Sequence, residues 1–448
     1  MSSTRRASEG APFRQERYAS APEFERGLMA NLVARRCALL ERPEDRQLIW
    51  FLQLLSHKPG GLRKLARELM AKFRKRLGTP IEVLIKGTPD ATEERIEKDI
   101  MELALDPGQS ITDGTHAYFK SLVSTLREVQ QQWVAAHQPE VVTSIGETVC
   151  SALEYAVARR KLVIIDGAPR IGKSHAAKAW CKLNPGGVRY VELTASNDDI
   201  SFFREIALSL GVSVNLNSKA QELRARIEET LRGGDLALVI DEAHYLWPQR
   251  HYHNTTPARI NWIMTALVNR GIGVALITTP QFFRSLTAIE RTTHWTSDQF
   301  KGRIARYVEL PGVLSRDELE EVASVLLPAG NADSIRAVAR YAEASSKYLG
   351  AMDAIADTAK YFCELGGRQK VEFKDVERAI RESVTPSDEA LKGALAIAAE
   401  SKRRRVSRAV AAPLQTDCGR DATPLPTERF TARDIAPARQ LKPELLPE

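Results

Sequence analysis

Eight residues, Gly167-Ala168-Pro169-Arg170-Ile171-Gly172-Lys173-Ser174, close an apolar run and open an amphipathic one. Their spacing is that of the P-loop pattern, G-x-x-x-x-G-K-[ST]. Glycines at these positions let backbone N–H groups curl around phosphate oxygens, and the helix that follows turns the positive end of its dipole toward them. Lys173 is placed to reach β- and γ-phosphates, the Ser174 hydroxyl to hold Mg²⁺, and His175 ends the stretch that faces the nucleotide. The chemistry implied is the binding of ATP with Mg²⁺.

A second candidate is LALVIDEAH, residues 236–244, an apolar strand that ends in two acids. Alone it reads as a strand terminus. Downstream of a P-loop it reads as a Walker B element, with Asp241 holding Mg²⁺ through water and Glu242 orienting and deprotonating the attacking water. Adjacent residues at a strand end point to opposite sides, so two carboxylates can serve two roles. Thr278 and Thr279 end a further apolar strand, where a hydroxyl would help position that water or simply cap the next helix. Arg303 and Arg306 precede the last strand. Phosphoryl transfer is helped mostly by charge stabilisation, and an arginine lent by a neighbouring subunit supplies it; Arg303 is the candidate, with an ordinary surface role as the alternative.

These residues need elements to hold them. From 140 to 311 short β-branched runs (LVIID, VRYVEL, LALVID, GVALIT, RYVEL) alternate with helical patterns, as in a parallel sheet covered by helices. Residues 312–385 are helical throughout and form a small helical domain. Residues 21–139 form an all-α N-terminal domain, in which GLRKLARELMAKFRKRL carries leucines on one face and basic residues on the other. Gly78 and Thr79-Pro80 then punctuate a second short helix, so 61–87 reads either as a helix-turn-helix or as a plain helical hairpin. Residues 1–20 and the basic, proline-rich stretch 386–448 have compositions that favour disorder.

The 448 residues carry a net charge of +7, with basic clusters at 57–78 and 401–408. Nucleic acid is the usual partner of such clusters, and solvated helix faces are the alternative. No apolar run is long enough to span a membrane, and the five cysteines (Cys37, Cys150, Cys181, Cys363, Cys418) show no metal-ligand spacing. A cytoplasmic protein without a membrane partner is the expectation.

The order of these motifs resembles an AAA+ ATPase: P-loop, DEAH, a polar strand end, an arginine before the last strand, and a helical lid. Within that superfamily, NPGGVRYVELTASNDDISFFREIALSLGV, DEAHYLW, LITTPQFF and KGRIARYVELPG are similar to the transposition helpers MuB, TniB and TnsC and to ExeA-type ATPases. The resemblance covers about residues 140–370, and the segment LARELMAKFRKRLGTPIEVLIKG is similar to the N-terminal helix-turn-helix of MuB-like proteins. It implies an α/β P-loop NTPase core with a helical lid, a homo-oligomer on duplex DNA with little sequence preference, and a transposase or related recombination protein as partner. The lid segment KYLGAMDAIAD has no arginine after its glycine where a sensor arginine often stands, and 110–139 has no counterpart. The loop WPQRHYHNTTPAR, with Arg250 and Arg259, is a candidate for facing DNA or for subunit packing. A signalling or assembly ATPase that ignores DNA is the alternative.

Overall fold

A computed structural model describes residues 28–77, 88–106, 111, 117–139, 141–195, 198–215, 217–248, 256–328, 330–345 and 348–383. The second half of the candidate helix-turn-helix, Arg250 with its loop, the stretch 1–20 and the tail 386–448 lie outside the described residues. By contact the chain divides into Met1–Leu391 and Lys392–Glu448, and the described residues all belong to the first unit.

Five strands form one parallel sheet in the order β2-β3-β4-β1-β5. They are β1 (Leu162–Asp166), β2 (Val188–Glu192), β3 (Ala237–Asp241), β4 (Val274–Thr278) and β5 (Ile304–Glu309). In β1, β3 and β4 every residue is buried, because helices cover both faces. That explains why these strands read as continuous apolar runs rather than as alternating ones.

Helices α1 (Ala30–Ala38), α2 (Pro43–Ser56), α3 (Gly61–Leu77), α4 (Pro89–Leu105) and α5 (Ala117–Ala136) precede the sheet, followed by α6 (Ser144–Arg159). Within the sheet region come α7 (Lys173–Leu183), α8 (Asp199–Leu210), α9 (Ala220–Gly233), α10 (Ala258–Trp262), α11 (Gln281–Thr292) and the short α12 (Asp298–Lys301). Four helices end the described chain: α13 (Arg316–Leu326), α14 (Ala332–Ser345), α15 (Tyr348–Leu365) and α16 (Phe373–Ser383), packed on one another.

The N-terminal helices do not form a core of their own. One apolar cluster joins Trp50, Phe51 and Leu69 to Phe202 and Leu231 of α8 and α9 and to Leu162, Ile164 and Leu238 of the sheet. Two glycines make room for this docking: a Cβ at Gly186 would meet Gln47 of α2, and one at Gly234 would strike the Trp50 ring. Trp50 Nε1 then donates to the Gly234 carbonyl at 3.2 Å, and the Ala30 amide to the Gly211 carbonyl at 3.1 Å.

The stretch ARINWIMTALVNR reads as one helix but widens after Trp262 into a π turn, Ile263–Leu267, and tightens into a 3-10 turn, Val268–Arg270. Trp262, Ile263 and Met264 are buried in succession, more than one α-helical face offers, and the wider turn accommodates them.

Candidate nucleotide site

The P-loop joins the C-terminal end of β1 to the first turn of α7. Gly172 occupies the left-handed region (φ 97°), the conformation that glycine adopts without strain, and its carbonyl accepts the Ala176 amide at 3.0 Å. Arg170 also has positive φ, 67°. Ile171 is fully buried and anchors the loop, whereas Pro169, Arg170 and His175 are exposed and Ala168 and Ser174 are half-buried. The start of α15 lies against the loop: a Cβ on Gly172 would stand 2.7 Å from Leu349 Cδ1, and one on Gly350 would stand 3.3 Å from the Arg170 side chain. The lid therefore meets the P-loop through leucine and glycine rather than through an arginine.

Lys173 is buried, and its Nζ donates to the carbonyls of Gly167 and Ala168, both at 2.6 Å. Burial lowers its pKa, and the charges of Asp241, Asp166 and Glu242 oppose that shift. The three carboxylates come from the ends of β1 and β3, so the topology gathers them around one ammonium group.

Asp241 is 2% exposed at the end of β3. Its Oδ1 accepts the Glu242 amide at 2.8 Å, and its Oδ2 accepts the Tyr190 hydroxyl at 2.5 Å. Tyr190 comes from the neighbouring strand β2. Burial, and then the Asp241 charge, raise the tyrosine's pKa far above its usual value, so it stays a donor. Nothing in the local sequence marks Tyr190, because the contact depends on how β2 and β3 are paired.

Glu242 leaves the strand in the left-handed region (φ 53°), and its side chain is 40% exposed where that of Asp241 is buried. Its Oε2 is 3.2 Å from His244 Nδ1, within ion-pair distance but not aligned for a hydrogen bond. Burial lowers the His244 pKa, against the pull of Glu242 and Asp241, so the imidazole is neutral near pH 7. Thr278 is buried beside Asp166 in the β1–β4 register and donates to the Thr279 carbonyl at 3.3 Å, while Thr279 is half-buried. Asp166, which the sequence reading passed over, has one oxygen accepting the Tyr307 hydroxyl at 3.2 Å and the other buried without a partner.

One end of the sheet thus brings together Gly167 through Ser174, Asp241, Glu242, Thr278 and Thr279. Arg303 is not among them. It stands at the N-terminal end of β5, the opposite edge of a parallel sheet, where Nε donates to Asn269 Oδ1 at 2.8 Å and a terminal nitrogen to the Gln299 carbonyl at 2.5 Å. Arg306 donates to Ser151 of α6 at 3.3 Å and sits over the Tyr155 ring. Arg259, from the candidate DNA-facing loop, pairs with Asp199 at 3.2 Å and covers Phe202.

The donors available to a cation are hard oxygens, the Ser174 hydroxyl and the Asp241 carboxylate, which suits Mg²⁺. Each Asp241 oxygen already accepts one hydrogen bond, which fixes the carboxylate and leaves a lone pair on each for a cation or its water. Among the described residues no group of three or more His, Cys, Asp or Glu side chains could cage a metal by itself. The four described cysteines are free, and no helix of the described residues is long and apolar enough to cross a membrane.

Comparison with known proteins agrees with this geometry. Residues 157–286 match the family model described as an AAA domain. No curated protein matches the chain. Among solved structures, the ADP form of the ORC2 protein of Aeropyrum pernix is similar at 14% identity, with 53% of this chain and 67% of that one covered and a TM-score of 0.43. Cdc6p from Pyrobaculum aerophilum is similar at 14% identity, 56% and 71% coverage and a TM-score of 0.40. The ORC1 protein of Aeropyrum pernix, solved in complex with DNA, gives 15%, 55% and 66%, and 0.42. Such scores carry no argument about activity. On its own sheet order and P-loop geometry the chain carries a P-loop NTPase core, within which residues 157–286 match the AAA domain.

Proposed function

We propose that this protein is an ATP-dependent switch that hydrolyses ATP, assembles on duplex DNA as a homo-oligomer and recruits a transposase or related recombination protein. The observation that supports hydrolysis, beyond binding, is the pair at the end of β3. Asp241 is held by Tyr190 and by the backbone, whereas the Glu242 side chain is 40% exposed, with the neutral His244 ring 3.2 Å from its carboxylate. One acid is positioned and the other is available as a base.

On this reading a bound phosphate replaces the Gly167 and Ala168 carbonyls as the partner of Lys173. Ser174 and, through water, Asp241 would hold Mg²⁺, which would supply neutralisation of phosphate charge. Glu242 accepts a proton from the attacking water, and Thr278 or Thr279 helps to orient it. Arg303 precedes β5 beside the start of β1, whereas the P-loop follows the end of β1, so the two lie at opposite ends of neighbouring strands. Its position at the exposed edge of β5 supports a role on the nucleotide of a neighbouring subunit. Residues 21–139 are assigned to a DNA- or partner-binding module, 140–311 to the core, 312–385 to the lid and 386–448 to a basic tail.

The DNA part rests on the net charge of +7, on the basic clusters and on the motif resemblance to MuB, TniB and TnsC. One structural observation favours the second reading, an assembly ATPase indifferent to DNA. On α3, Arg63 and Arg67 both pair with Glu93 of α4, at 3.6 and 2.9 Å. Binding of a fluorescent duplex at low salt separates the two. Saturable binding that weakens steeply with salt supports the first reading, and none at any nucleotide state selects the second.

A further inference from the structure

A cavity of about 260 Å³ lies at the seam between the N-terminal helices and the sheet core. Gln53 of α2, His57 just after it, Lys178 and Lys182 on the far half of α7, and Arg189 and Tyr190 of β2 line it. Three of its lining side chains are cations, and none is an aspartate or glutamate. Its volume is at the small end for ligand pockets, suited to an anion no larger than about a mononucleotide.

Arg189 gives the cavity its character. It is 8% exposed, its guanidinium stacks on the Trp50 ring at 4.6 Å, and its acceptors are the Pro185 carbonyl, the Val188 carbonyl at 2.9 Å and Gln53 Oε1 at 3.2 Å. Every one of these is uncharged. A buried cation with no carboxylate beside it is unusual, because desolvation is then offset only by dipoles. Three of the five guanidinium donors are used, which leaves two.

The rim adds to the imbalance. Lys58 and Lys182 both approach the Trp133 ring, at 4.9 and 5.7 Å, so two like charges share one aromatic ring. Burial first, and then the charges of Lys182 and Lys64, lower the Lys58 pKa. Only Lys178 among the lining cations has an acid, Glu192 at 2.7 Å. A negative ligand would relieve repulsion at the rim and supply the charge that Arg189 lacks.

We propose that this cavity binds a small phosphorylated anion, at a site separate from the P-loop. Arginine's planar fork and the lysines at the mouth match phosphate oxygens. Tyr190, which lines the cavity, is also the residue that holds Asp241, so a ligand there touches the nucleotide site through one side chain. That link rests on the reading of Asp241 given above. The binding itself does not.

The test uses the full chain with Lys173→Ala, so that the P-loop no longer competes. Inorganic pyrophosphate is titrated at constant ionic strength while tryptophan fluorescence is followed, since Trp50 and Trp133 flank the cavity. Saturable binding at one site per chain is expected, weakened roughly tenfold or more when the exposed Lys182 is changed in addition, Lys182→Glu. Arg189→Lys, which keeps the charge but not the fork, is the second variant and should weaken binding as well. No saturable change, or an affinity indifferent to Lys182→Glu in a chain with an unchanged melting curve, overturns the proposal. Displacement of pyrophosphate by a short duplex would assign the cavity to nucleic-acid phosphate and overturn the small-anion reading too.

Discussion

Charges at the C-terminal ends of the strands and charges along α3 are held in opposite ways. Around the P-loop, Lys173 and Asp241 are buried, the first fixed by short hydrogen bonds that it donates to two carbonyls and the second by one that it accepts from Tyr190. Along α3, Arg63 and Arg67 are more than half exposed and share a single glutamate, while Lys72 reaches Gln132 of α5 at 2.5 Å. Burying a charge costs several kcal/mol unless it is paired, so a fold that keeps charges buried at one strand end keeps them for chemistry. Exposed pairs are worth about 0–1 kcal/mol and are screened by salt. A count of basic residues therefore overstates the positive charge that α3 offers a polyanion.

The largest expected effect falls on the buried side of this contrast. Lys173→Ala removes the ammonium group that the proposed function assigns to the β- and γ-phosphates, and equilibrium titration with a fluorescent ATP analogue should show affinity reduced by about 100-fold or more. Unchanged affinity would mean that the loop does not bind phosphate.

Arg303→Ala should lower turnover by about 10³-fold while leaving nucleotide binding by the single chain intact, since a finger acts on transition-state charge. Mixing it with Lys173→Ala should restore part of the activity, because one chain offers the pocket and the other the arginine. Normal turnover by Arg303→Ala alone would return that residue to its structural bonds with Asn269 and Gln299.

A smaller effect tests the exposed side directly. Glu93→Gln releases two guanidinium groups on α3. If that face meets DNA, duplex affinity at low salt should rise by a few-fold and the salt slope should steepen by about 0.9 for each new phosphate contact. Unchanged binding with an unchanged slope would confine α3 to a structural role.

The smallest effect concerns pH. His57 and His244 both have pKa values lowered by burial, so the unfolded chain takes up protons that the folded chain refuses. Stability is then full above the ordinary imidazole value of about 6.5 and falls as pH drops below it. Thermal melts between pH 7.5 and 5.5 should show that fall, and it should be shallower with His244→Gln.

How much of this was legible in the sequence follows the same division. Gly167 to Ser174 and the pair Asp241-Glu242 were readable because a glycine loop and a strand end are local features. The five apolar runs became five strands for the same reason. Tyr190, Asp166 and Tyr307 were not readable, since their roles depend on which strands lie side by side. Gly186 and Gly234, which admit Gln47 and Trp50, gave no sign that the N-terminal helices share the core of the sheet. Glu93 lies 26 residues from Arg67, and only the α3–α4 packing brings them together.

The central claim is that the ATP state is the DNA-binding state, and Glu242→Gln tests it most directly. The substitution keeps the shape of the site and the bonds of Asp241 but removes the base, so bound ATP persists. Duplex binding of the wild-type chain and of Glu242→Gln is measured with ATP, ADP or no nucleotide across a salt series. The account predicts the tightest and longest-lived binding for Glu242→Gln with ATP, a steep loss with salt, and an equal tightening of ATP by DNA. Equal duplex binding in all three nucleotide states would contradict it, leaving a nucleotide site without a DNA switch.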